Sequence, residues 1–204
     1  IDMFIVAAYG NILPKELVDL PPKGTLNVHP SLLPKYRGPS PERGALLNGD
    51  EKTGVTVILM DEQIDHGPIL AQKEFAIPED MRHEELHVKL GEIGGELLVK
   101  TMPQWLQGKI TPREQDHSKA TYTKKLTKED GRIDWKKPAE YIERQVRALH
   151  PWPGAFTFWK GKRIKILKAH LEQGKLTIDE VQLEGKKPTT FREFLLGHKH
   201  VELL

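Results

Sequence analysis

The chain has 204 residues, 38% hydrophobic and 29% charged, which excludes disordered, collagen-like and coiled-coil classes and allows one domain, or one larger domain with a small appendage. Its formal charge of +2 conceals a split: residues 1–118 carry 12 Lys+Arg against 18 Asp+Glu, and residues 119–204 carry 19 against 11. With no cysteine there are no disulfides or thiolate metal sites, and no apolar run approaches the ~20 residues of a membrane span, so the expectation is a soluble, cytoplasmic protein.

The chain enters an apolar segment at once, and residues 3–9 read as a buried parallel strand leaving the sheet through Gly10-Asn11. Because it opens on Ile1 with no capping segment before that strand, upstream sequence is expected, and these 204 residues alone are expected to be aggregation-prone or inactive. KELVDL at 15–20 suits a short helix broken by Pro21, Pro22 and Gly24. Residues 25–29 form a strand stopped by Pro30, and a Pro-rich loop leads to Pro41, which opens a short helix through Leu47. Two more strands are expected at 53–60 and 69–77, with a loop at 61–68 between them. From 80 to 107 the pattern turns helical, with Leu86, Leu90, Ile93 and Leu97 on one stripe and Gly108 as terminator. His83 and His87 fall on a solvated face of that helix and lack the HExxH register, so no metal site is expected.

Residues 111–123 are polar and suit a linker. A helix over 138–149 and strands at 155–159, 163–169 and 175–182, separated by Gly161 and Gly174, then describe a small β-rich module. The fold expected is α/β: a parallel-sheet domain over 1–110, the linker, and the module over 124–204.

One constellation carries chemistry. Asn27 and His29 alternate onto one face at the end of a buried strand, and Asp65 lies in the loop after another. If parallel strands end at a common edge, an amide donor, an imidazole and a carboxylate meet there. Such a set suits acyl transfer to an amine: Asn27 and protonated His29 bond a carbonyl oxygen gaining negative charge, and Asp65 sustains the imidazolium and relays the amine's proton. On residue types alone, a strand-end histidine is more often a hydrogen-bonded structural residue than a catalytic one.

NVHPSLLPKYRG at 27–38 and DEQIDHGPIL at 61–70 together resemble the signatures of the folate-dependent formyltransferases. Residues 121–154 and 179–198 resemble the C-terminal domain of the branch acting on methionyl-tRNA. The resemblance implies a partial Rossmann-like formyltransferase domain followed by a shortened, OB-like C-terminal domain. It implies Asn27, His29 and Asp65 as the catalytic three, and 10-formyltetrahydrofolate as formyl donor, without a metal. It places Gly10, Asn11, Ile12, Leu13, Ser31, Leu32, Leu33, Pro34, Met60, Asp61 and Glu62 around the folate, with a cis bond at Leu33-Pro34. The implied acceptor is initiator methionyl-tRNA, for translation initiation, and the implied whole protein is a monomer. An amino-sugar nucleotide as acceptor, hydrolysis of the donor, and a folate- or RNA-binding remnant without catalysis stay open alternatives. The excess of basic residues after Ser118 suits a phosphate backbone, with Lys124, Lys125, Lys128, Lys162, Arg163, Lys165, Lys186 and Lys187 as candidates against a merely solvated face. Trp135, Trp152 and Trp159 read as packing residues.

Overall fold

The computed structural model describes residues 1–198, which divide into two compact units. The first comprises Ile1–Ala45, Asp50–Glu79 and Glu85–Lys125; the second comprises Leu46–Gly49, Asp80–Glu84 and the chain from Leu126 onward.

The first unit holds a four-stranded sheet of β1 (Phe4–Ala7), β2 (Thr25–His29), β3 (Lys52–Leu59) and β4 (Ile69–Ala76), in that spatial order. β1 and β2 are parallel, but β3 runs antiparallel to β2, and β4 antiparallel to β3. The sheet is therefore mixed, not parallel throughout as the alternation of strands and helices suggested. β1 is also a half-exposed edge with Ile5 45% exposed, so only β2 and β3 carry the near-continuous burial expected of interior strands.

Helix α1 (Lys15–Val18) and helix α2 (Pro41–Asn48) are short, whereas α3 (His83–Leu106) runs 24 residues. Leu86 and Leu90 are fully buried, as the stripe requires, and Leu97, Leu98, Met102 and Trp105 cover Leu26, Val57 and Leu70 on the sheet. Close approach is set by Gly94, where a Cβ would come within 2.9 Å of Val28 Cγ1. Gly95 faces open space, so Gly95→Ala should stabilise the fold by about 0.5–1 kcal/mol in denaturant titration, the difference in helix propensity. His83 is buried, against the expectation of a solvated face.

Residues 111–123 are not a free linker. Arg113 bridges Ile69, Tyr122 bridges Arg37, and Gln115 is 5% exposed, so the segment is bonded into the first unit, along with Lys124 and Lys125. Most of its side chains are exposed, which accounts for its polarity, while its backbone bonds at Arg113, Thr121 and Thr123 and buried Gln115 hold it to neighbouring segments.

The second unit contains helix α4 (Ala139–Leu149) and a four-stranded antiparallel meander, β5 (Ala155–Trp159), β6 (Lys162–Glu172), β7 (Lys175–Leu183) and β8 (Thr189–Thr190). Ile142 and Val146 of α4 pack with Ile164, Ile166, Val181 and Phe194 into one core, edged by Trp135 and Trp159; Trp152 is 48% exposed. Helix α5 (Phe191–Gly197) closes the described chain. The sequence reading placed no helix here; Thr190 and Glu193 form a capping box at its start.

Candidate active site

The three chemical residues meet although the edge argument that joined them does not hold. Leu26 pairs with Leu59 and His29 with Thr56, so β3 ends beside the start of β2, not beside His29. The loop after β3 folds back instead and returns Asp65 to the strand. Asn27 Nδ2 donates to Asp65 Oδ1 at 3.2 Å, and His29 Nδ1 faces the same oxygen at 3.4 Å. The other carboxylate oxygen accepts from Gly38 N–H at 2.7 Å.

His29 is oriented by its second nitrogen. Nε2 lies 2.9 Å from the carbonyl oxygen of Tyr36, an acceptor only, so Nε2 carries the proton. The Nδ1 face is left toward Asp65, and the ring is buried while the carboxylate side chain is 13% exposed. A neutral ring presents a lone pair there, and a protonated ring presents a second N–H beside the carboxylate.

Two strained residues hold this geometry. Tyr36 has φ +61° and Asp65 has φ +48°, the left-handed region that L side chains enter at a cost of roughly 1–2 kcal/mol. Tyr36 is fixed by its amide donating to Thr121 Oγ1 at 2.8 Å and its phenol donating to Asp50 Oδ2 at 2.9 Å. Both strained residues touch His29, and backbone strain gathers where position matters.

The loop from Pro30 to Arg37 is built from the inside. Thr56 Oγ1 donates to Ser31 O at 2.6 Å and accepts from Leu33 N, while Gln72 Nε2 donates to Leu33 O at 2.8 Å. The Leu33-Pro34 bond is cis, as expected. Ser31 and Leu33 point inward: Ser31 Oγ donates to Lys35 O, and Leu33 packs on Ile58 and Ile69. Leu32 and Pro34 are half-buried, as are Met60, Asp61 and Leu13, while Gly10, Asn11, Ile12 and Glu62 are exposed. Residues 10–13 follow β1, which runs parallel to β2, so they leave the sheet at the same edge as His29. The charge on Lys15 is favoured by its hydrogen bond to Asp19 first, with smaller contributions from Glu62 and Asp61, so the start of α1 lies in reach of the loop after β3.

Tyr36, Gly38 and Gln115 were missed as site residues. The first two lie inside the NVHPSLLPKYRG string and were legible there as a turn ending in glycine. Gln115 had no local signal. Among the candidate basic residues, Arg163 and Lys165 alternate with buried Ile164 and Ile166 and so face outward from β6, following exposed Lys162. Lys186 and Lys187 lie in the turn between β7 and β8, and Lys128 lies in a 3-10 turn at Lys128–Gly131. The Arg163 guanidinium lies 4.3 Å from the ring centroid of buried Phe156 and that of Arg132 5.7 Å from exposed Phe158, so the basic face carries one exposed ring that charge counting had overlooked.

An amide, an imidazole and a carboxylate converge with no side-chain nucleophile among them, an arrangement able to pass an acyl group between two substrates. Residues 1–102 match the formyl transferase family and residues 125–175 its C-terminal domain, and the chain belongs to that family. It is 54% identical over 165 residues to a methionyl-tRNA formyltransferase of Chloroflexus aurantiacus, covering 81% of this chain and 53% of that protein. With a methionyl-tRNA formyltransferase of Roseiflexus castenholzii it shares 49% over 220 residues, covering 96% of this chain and 70% of the relative. The solved methionyl-tRNA formyltransferase of Clostridium thermocellum has the same fold, with a TM-score of 0.67 at 22% identity over 89% of this chain and 77% of that one. The chain thus spans about half the length of the first of these relatives. No helix among the described residues is long and apolar enough to cross a membrane.

Proposed function

We propose that this chain is part of an enzyme that moves the formyl group of 10-formyltetrahydrofolate to the α-amine of methionine on initiator tRNA, acting in the cytoplasm at translation initiation. The observation that carries this reading is the convergence of Asn27 and His29 on one carboxylate oxygen of Asp65, in a chain 54% identical to a relative of that name. The folate supplies the formyl group. Asn27 Nδ2–H and the Nδ1–H of protonated His29 stabilise the charge that develops on the formyl oxygen, with Asp65 facing the same ring nitrogen. As the amine attacks and the carbon–nitrogen bond to the donor breaks, the amine's proton passes through the His29–Asp65 pair to the departing nitrogen. No protein nucleophile is consumed, and no metal is needed.

The folate would lie among residues 10–13, the loop at 31–34 and the returning loop that begins at residues 60–62. Buried Ser31 and Leu33 shape that loop; Leu32, Pro34, Ile12 and Leu13 offer apolar cover, and backbone groups of Gly10, Asn11, Met60, Asp61 and Glu62 offer polar contacts. The division into a catalytic part over 1–110 and an RNA-binding part over 124–204 belongs to this proposal. On the second unit, Lys162, Arg163 and Lys165 present positive charge beside the exposed ring of Phe158, which fits a phosphate backbone with an exposed base.

Formation of N-formylmethionine on tRNA from 10-formyltetrahydrofolate, assayed with the full reading frame that contains these residues, tests the reaction; absence of product overturns it. Replacing Lys162, Arg163 and Lys165 together by alanine should weaken tRNA binding and lower the slope of log Kd against log salt by about 2 to 3. An unchanged slope would leave this face outside the RNA contact.

A further inference from the structure

We infer that Gln115, clamped by Arg37, is a positioning residue that sets Asp65 against His29; the inference rests on the formyl-transfer reading for its effect on rate. Gln115 is 5% exposed and uses its side-chain amide at both ends. Its Nε2 donates to the backbone oxygens of Asp65 at 2.9 Å and of Gly67 at 2.8 Å. Its Oε1 accepts from Arg37 Nη2 at 2.7 Å and from Arg37 Nε at 3.3 Å. The amide cannot be reversed: flipped, it would set an oxygen against two carbonyls and an NH2 against a guanidinium.

Arg37 is 2% exposed and, among the described residues, makes no ion pair with a carboxylate. Its remaining partners are Tyr122 Oη at 3.2 Å and His117 Nδ1 at 2.8 Å, so its strongest acceptor is the Gln115 oxygen. A buried cation pulling on that oxygen sharpens the two N–H donors at the other end of the same amide. Arg37 is itself held from both sides, its N–H donating to Thr121 O at 2.8 Å and its oxygen accepting from Thr123 N at 2.7 Å. The next residue, Gly38, donates to Asp65 Oδ2. Asp65 is therefore gripped at its backbone oxygen through Gln115 and at Oδ2 through Gly38, which leaves Oδ1 as the oxygen turned to Asn27 and His29. A residue at φ +48° stays there only when its surroundings over-determine it, and this double grip does so.

Two variants separate positioning from packing. Gln115→Met removes every bond of the amide, whereas Gln115→Glu keeps the acceptor for Arg37 and gains an ion pair with it but loses both donors to the loop. Both should lower kcat by about 10-fold or more, because a small displacement of Oδ1 is enough, with KM for donor and acceptor within about 3-fold of wild type. Gln115→Glu sets a carboxylate oxygen against the two carbonyls, so its melting temperature should fall, but less than that of Gln115→Met because the bond to Arg37 is kept. Amide exchange of Gly38, read without any turnover, should speed up by about 10-fold or more in both variants as Asp65 Oδ2 moves away. A Gln115→Glu protein with wild-type kcat overturns the inference, because satisfying Arg37 would then be all that Gln115 does. Unchanged Gly38 exchange in both variants overturns it too. If the unsubstituted protein transfers no formyl group, the functional reading fails, while Gly38 exchange still decides whether Gln115 holds Asp65.

Discussion

Replacing His29 by alanine lowers kcat/KM for formyl transfer by about 100-fold or more, and Asp65→Asn does the same, because each removes one half of the proton-handling pair. The Asp65→Asn variant is the more informative. Asparagine keeps the shape and an oxygen acceptor for Gly38 N–H, so the loop can keep its conformation while the charge beside His29 Nδ1 is lost. His29→Ala also removes a buried ring and its bond to Tyr36 O, so a thermal melt must accompany its kinetics. The expected pattern is a large loss of kcat for both with a lowered melting temperature for His29→Ala only. Retention of more than about a tenth of the wild-type kcat/KM in either, in folded protein, would remove that residue from the chemistry.

The second large effect is expected at Gly67. A Cβ there would lie 1.9 Å from Leu59 O, a backbone atom with no free rotamer to escape into, so Gly67→Ala must displace either β3 or the loop carrying Asp65. Overpacking of this kind costs about 1–3 kcal/mol, and displacement of Asp65 should abolish most of the activity. Gly95→Ala serves as the matched control, since the same methyl group meets nothing there. Equal stability and activity for the two variants would show that the return of the loop is not constrained in the way the backbone indicates.

These effects show which parts of the molecule could be read from the chain. The strand at residues 25–29 was legible because β-branched and apolar residues end abruptly at Pro30, and β2 has those bounds. The long helix was legible from one apolar stripe ending at Gly108, which takes φ +67°. Asn27, His29 and Asp65 were legible as chemical types, and the structure brings them together, but by a loop doubling back along an antiparallel pair rather than at a shared edge of parallel strands. Strand direction is decided by long-range pairing, which local patterning does not encode. Gln115 was illegible for a similar reason: a lone glutamine in a polar stretch has no periodicity, and its value comes from partners 48 to 78 residues away. The basic face was legible as charge, whereas the rings beside Arg132 and Arg163 emerged only with the register of β5 against β6.

The central claim is tested most directly by giving the purified protein, produced from its full reading frame, 10-formyltetrahydrofolate labelled in the formyl carbon. Methionyl initiator tRNA and an amino-sugar nucleotide are supplied as competing acceptors. Label is expected on the methionine of the tRNA, dependent on His29 and Asp65 and suppressed by raised salt. Label on the sugar nucleotide alone, or released only as free formate, would contradict that claim.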